Sequence, residues 1–195
     1  MDPVRLAQRS MSSPPLRRAI LIFPAGGVEE VGRQWKDLKK YVEARVAEAV
    51  AEFELAGEFL EGGLLRGAAG RAFQGWRAAL AAAAAVRREA LKGEYAGFVK
   101  TREGERVEKV DFVVAVMPTS QMKKVAKVLS GDFGDVVVLL TELALDLREF
   151  RHSGLDPAGV LSRYADLRDV EDDVRLLVAR GREFVEGVRR GLAGG

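Results

Sequence analysis

The chain carries one imidazole and no thiol. His152 is the single histidine among 195 residues, and cysteine is absent. Disulfides, thiolate metal sites, cysteine nucleophiles and His-rich zinc or di-iron centres are thereby excluded. His152 follows Arg148 by about one helical turn and stands beside Arg151, with Glu142, Asp146 and Glu149 shortly before it. An imidazole moves protons near neutral pH, and a guanidinium steadies charge developing on a phosphate. The trio Arg148, Arg151 and His152 therefore suits metal-independent RNA cleavage. A histidine at the end of a helix can equally cap the last carbonyl groups, with no chemistry implied.

Other groupings point less far. The glycines Gly62, Gly63, Gly67, Gly70 and Gly75 resemble a phosphate loop, but no Gly-Lys-Ser/Thr ending follows and a helix precedes them. They read as a helix turn followed by close-packing positions. The acids Glu29-Glu30 and Glu171-Asp172-Asp173 read as solvated or helix-starting residues rather than a divalent-metal set, so no metal and no cofactor is expected. Among the aromatic residues, Phe73, Trp76 and Phe150 fall on apolar faces and are expected in the core. Trp35 and Tyr41 are candidates for a surface groove, a ligand mouth or a subunit contact, and Tyr164 joins them as a candidate binding residue.

The charge pattern restricts the partner. The formal charge is +2, but residues 1–20 hold Arg5, Arg9, Arg17 and Arg18 against Asp2, which leaves the rest of the chain at about −1. A general DNA binder would show a concentrated basic face; a local basic groove remains open. Arginine outnumbers lysine 22 to 9, asparagine is absent and glutamine occurs four times. Thermophilic proteins show such sparse amides, and so does an Arg- and Ala-rich coding bias. No apolar run approaches the ~20 residues of a membrane span, so the expected location is cytoplasmic.

These residues need a frame. Residues 1–27, with Pro3, Pro14 and Pro15 among serines, are expected to form a mobile or partly extended arm, and Met11 is an alternative start. Residues 28–192 are expected to form a single helical-bundle domain. Leu38, Val42, Val46, Ala49, Phe53, Ala56 and Leu60 form one helical stripe that ends at Gly62-Gly63. A second helix is expected from about Leu64 to Leu91, with Phe73, Trp76, Leu80, Ala84 and Leu91 on its apolar line and the run Ala78–Ala85 within it. Residues 92–106 read as a loop. Val107–Met117 is ambiguous between helix and strand, with helix favoured. A short helix capped by Thr119 or Ser120 should end near Gly131. A strong helix follows over Phe133–Arg151, closed by His152-Ser153-Gly154. The last helix begins near Asp166 or Asp169. The expected fold is all-α, an up-and-down bundle of four main helices with one or two short extra ones.

Three segments, taken together, carry a resemblance. They are Ala51–Ala85 (AEFELAGEFLEGGLLRGAAGRAFQGWRAALAAAAA), Leu143–Gly154 (LALDLREFRHSG) and Ser162–Val188 (SRYADLRDVEDDVRLLVARGREFVEGV). The chain resembles the HEPN superfamily of compact helical bundles found in prokaryotic defence and toxin systems. The first segment is similar to that family's opening hairpin with its Ala-rich second helix, the second to its Arg/His motif helix, and the third to its Arg-Tyr segment before the closing helix. The resemblance implies a homodimer that associates with RNA or a nucleotide, in which His152, Arg148 and Arg151 serve a metal-independent endoribonuclease site built across the dimer interface. Active members place four to six residues between the motif Arg and His, whereas Arg148 and His152 enclose three. Relatives without the motif serve as non-catalytic interaction or assembly modules, which leaves a second expectation: a partner protein such as a nucleotidyltransferase. A ligand-binding bundle with Trp35 and Tyr41 at its mouth is the third.

Overall fold

The computed structural model describes residues 37–100, 106–160 and 162–193. The first helix, α1 (Leu38–Glu61), starts at Asp37, whose carboxylate accepts the Lys40 amide at 3.0 Å. The expected stripe is its inward face: Val42, Val46, Ala49, Phe53 and Ala56 are fully packed away. The chain turns at Gly62-Gly63 into α2 (Leu65–Val86), which lies antiparallel to α1. Two tight approaches set that hairpin. A Cβ on Gly67 would sit 2.5 Å from the Phe59 ring, and one on Gly75 would sit 2.6 Å from the Phe53 ring. The missing side chains let those rings lie on the α2 backbone.

The second helix is the axle of the molecule. Every residue from Ala78 to Ala85 is buried, because methyl side chains admit neighbouring helices on all sides while keeping full helix propensity. It breaks at Arg87 rather than running on to Leu91, and a single turn, α3 (Arg88–Leu91), follows. The expected loop over 92–106 holds a correction: Phe98–Lys100 (β1) pairs antiparallel with Arg106–Glu108 (β2). With three residues a side, this hairpin carries too little periodicity to be read from sequence. Arg88 ties the hairpin down, donating from Nε to Asp111 and from Nη2 to Glu108, each at 2.6 Å.

The ambiguous segment resolves as helix, α4 (Lys109–Val116), with Val107 in β2. The chain leaves it through Met117 at φ 42° and Pro118. The next helix, α5 (Thr119–Phe133), begins at Pro118 with no capping side chain, so neither Thr119 nor Ser120 caps it. Proline's fixed φ suits a helix start, and its extended ψ of 136° orients the entry. Gly134 ends α5, which moves Phe133 out of the following helix, α6 (Val136–Ser153). The last helix, α7, runs from Leu167 to Ala193.

The four longest helices, α1, α2, α6 and α7, alternate in direction and share one apolar cluster with α4 and α5. The fold is therefore an all-α bundle, and its only sheet among the described residues is the small hairpin. Trp76 sits near the centre: its ring packs at 5.0 Å from Phe184, and its indole N–H donates to Thr141 Oγ1 at 2.9 Å. Thr141 in turn donates to the Val137 carbonyl one turn back. None of the described helices is long and apolar enough to cross a membrane.

Candidate nucleic-acid interface

The helix α6 ends where a side chain would not fit. Gly154 has φ 77°, and a Cβ there would collide with the Arg66 guanidinium. Its amide donates to the Phe150 carbonyl at 2.7 Å and closes the last turn. That leaves Arg148, Arg151 and His152 exposed on the final turns of α6. The imidazole has no hydrogen-bond or ion-pair partner among the described residues, so His152 does not cap its own helix; the Gly154 amide does that work.

The second helix faces this terminus in antiparallel register. Residues 66, 70, 73 and 77 fall at helical spacing along one stripe of α2. Arg66 lies beside Gly154. Arg151 lies flat over Gly70, whose absent Cβ would stand 2.7 Å from Arg151 Cδ. The Arg148 guanidinium sits 5.8 Å from the centre of the Phe73 ring, in cation–π range. Arg77 comes next. It is half-buried without a hydrogen-bond or ion-pair partner among the described residues; burial, with Arg45 and Arg148 nearby, pushes its pKa down against the pull of Glu48 and Glu52. A seam between α2 and α6 thus presents Arg66, Arg151, Arg148 and Arg77 in sequence, with His152 at one end.

On the α1 side the charges are paired. Glu52 is 2% exposed and accepts from Arg71 with both oxygens, at 3.1 and 3.2 Å. Burial raises its pKa, and Arg71 opposes the rise. Arg45 bonds Glu48 at 2.7 Å. On α2, Gln74 has a buried side-chain oxygen with no hydrogen-bond partner. Arg66, Arg77, Arg148 and Arg151, by contrast, have no ion-pair partner among the described residues. Among the described residues no three histidines, cysteines or acids gather closely enough to hold a metal ion.

The other candidate residues lie elsewhere. Tyr41 is 5% exposed: its hydroxyl donates to the Val114 carbonyl at 3.0 Å and accepts from Arg45 Nε, while Arg45 Nη2 donates to the Ala115 carbonyl at 2.7 Å. Together they satisfy carbonyls left open at the C-terminal end of α4, so Tyr41 is an interior strut and not a groove residue. Tyr164 is 4% exposed. It packs edge-on against Phe150, and its hydroxyl donates to Asp173 at 2.6 Å. Burial and that carboxylate raise its pKa. It ties the segment before α7 to Phe150 and Asp173 and is itself closed off from the surface. Trp35 lies outside the described residues.

Sequence reading missed Arg66 and Arg77, and it named Gly70 as a close-packing position without naming Arg151 as what packs there. The signal was present as two of the helix's three arginines, Arg66 and Arg77, falling on the stripe that also holds Gly70 and Phe73, while Arg71 falls on another face. What hid it was the absence of any sequence clue that α6 would lie alongside.

At one end of the seam the bundle opens into a pocket of about 580 Å³, walled by the end of α1, the start of α2, Phe150 and the loop after α6. Comparison with known proteins adds one positive finding. No curated protein and no solved structure matches the chain. The model of the Archaeal PaREP1/PaREP8 family matches residues 44–175, which takes in α1 from its second turn, all of α2 and α6, and the first turns of α7. The chain belongs to the Archaeal PaREP1/PaREP8 family.

Proposed function

We propose that this chain is a HEPN-like, dimeric RNA-associated domain that holds a ribose-phosphate backbone along the α2–α6 seam and cleaves it without a metal. The carrying observation is the register that lays Arg66, Arg151, Arg148 and Arg77 in one strip ending at an exposed, unbonded His152. Guanidinium groups suit phosphate oxygens because they are planar, always charged and weakly hydrated. Arg77 adds a half-buried guanidinium with no ion-pair partner among the described residues, although Glu48 and Glu52 act on it from a distance.

The chemistry follows from the residue types. One imidazole takes the proton of a ribose 2′-hydroxyl. That oxygen attacks the adjacent phosphorus, and the bond to the 5′ oxygen breaks. A protonated imidazole from a second copy of the chain returns a proton to the departing 5′ oxygen, leaving a 2′,3′-cyclic phosphate. Arg148 and Arg151 hold the charge that builds on the phosphate. A single imidazole per chain is why two copies are needed.

The test is incubation of purified full chain with mixed RNA in EDTA, beside His152→Ala and the double variant Arg148→Ala/Arg151→Ala. Wild type should cleave. His152→Ala should still bind but cut roughly 10²–10⁴-fold more slowly, and the double variant should bind weakly. Equal cleavage by His152→Ala would remove the imidazole from the reaction. Binding without cleavage by wild type would make the domain a non-catalytic module for an RNA or a partner protein.

A further inference from the structure

We infer that the pocket at the α1–α2 turn takes the base of an unpaired nucleotide, with its phosphate held at Arg66 and the N-terminus of α2. This rests on the RNA reading of the seam and names the form of substrate that the seam accepts. The pocket, about 580 Å³, falls within the roughly 300–1,000 Å³ of small-ligand sites. Its walls are apolar, including Phe59, Leu64, Phe150, Leu155 and Leu167, and three of these leucines remain exposed to solvent: Leu64 by 59%, Leu155 by 39% and Leu167 by 45%.

The polar edge of the pocket is cationic. Arg66 lines it. The amides of Leu65, Arg66 and Gly67 have no partner among the described residues, because Leu64 supplies no capping side chain and the helix ladder begins with the Ala68 amide. Unpaired amides at the positive end of a 22-residue helix attract an anion. An apolar body with an anionic head is the ligand that such a pocket selects, and a nucleotide has that form.

Continuity with the seam decides among such amphiphiles. Arg66 belongs both to the pocket and to the arginine strip, and Phe150 and Gly154, at the C-terminal end of α6, line the pocket. A phosphate backbone on the strip runs directly to the pocket mouth. Bases in a duplex are stacked and cannot turn outward, whereas unpaired bases can enter an apolar pocket beside aromatic rings. The substrate is therefore single-stranded RNA or a loop.

The experiment titrates the full chain by calorimetry with adenosine 5′-monophosphate, adenosine, inorganic phosphate and dodecanoate. Wild type and the variants Leu155→Trp and Arg66→Ala are compared, each checked for folding by its thermal melt. The monophosphate should bind at least about tenfold more tightly than adenosine or phosphate alone. Leu155→Trp, which fills the pocket, should weaken it by a similar factor; Leu64→Trp serves if that variant does not fold. Arg66→Ala should bring the monophosphate level with adenosine. Phosphate binding as tightly as the nucleotide, tighter binding of dodecanoate, or no effect of the tryptophan would overturn the assignment. A seam that binds RNA while the pocket ignores nucleotides would sink this inference alone, and duplex and single strand would then bind alike.

Discussion

The two halves of α2 do opposite work with the same kind of residue. From Ala78 to Ala85 the helix is wrapped on every side, by α1, α7, α6, α5 and α4. From Arg66 to Arg77 one face stays open, and glycine replaces alanine at the positions where something must lie on the backbone. In the first half small side chains bring whole helices together. In the second they bring single groups onto the helix: Phe59, Phe53 and the Arg151 guanidinium. One rod is thus both the axle of the core and the floor of the basic seam, and the position of the glycines separates the two roles.

The largest effect should come from the junction of the halves. Trp76→Ala removes a fully buried indole, its contact with Phe184 and the donor to Thr141. It should cost about 4 kcal/mol, read by thermal or denaturant unfolding. A loss under about 1 kcal/mol would show that the core does not close on this helix as described.

Two alanine substitutions one and a half turns apart sharpen the contrast. Gly75→Ala drives a methyl into the buried Phe53 ring and should destabilise by about 1–3 kcal/mol. Gly70→Ala meets only the flexible, exposed Arg151 chain at 2.7 Å, so the gain in helix propensity, about 1 kcal/mol, should offset the displacement and leave stability level or raised. The same change should weaken RNA binding by lifting Arg151 off the seam. Equal destabilisation at both sites would erase the distinction between a packed half and an open half.

Much of this was legible beforehand. The stripe Val42 to Leu60 is the buried face of α1, because its charges, apart from Glu52, fall on the other faces. The alanine run reads as close packing for the same reason that it forms helix. The all-α architecture followed from such periods. The short hairpin did not, since three residues a side leave no periodic trace. The aromatic residues misled in one direction: Tyr41 and Tyr164 look amphipathic in sequence, yet each hydroxyl has a partner within the chain, a carbonyl of α4 and half-buried Asp173. A polar tip tells that a partner exists, not whether the partner is water. The exposure of Arg148, Arg151 and His152 on α6 followed the helix ending at Gly154, which the His-Ser-Gly sequence announced. Their arginine companions on α2 required knowing which helix lies alongside, and that is a long-range fact.

The central claim is that the α2–α6 seam grips phosphates, and the most direct measurement is the salt dependence of single-stranded RNA affinity for wild type and Arg148→Ala/Arg151→Ala. Losing two phosphate contacts should weaken binding about tenfold or more and make the slope of log K against log salt shallower by roughly 1.4, at about 0.7 for each contact on a single strand. The thermal melt should stay nearly fixed, because both side chains are exposed. Identical affinity and identical slope in the two proteins would contradict the account.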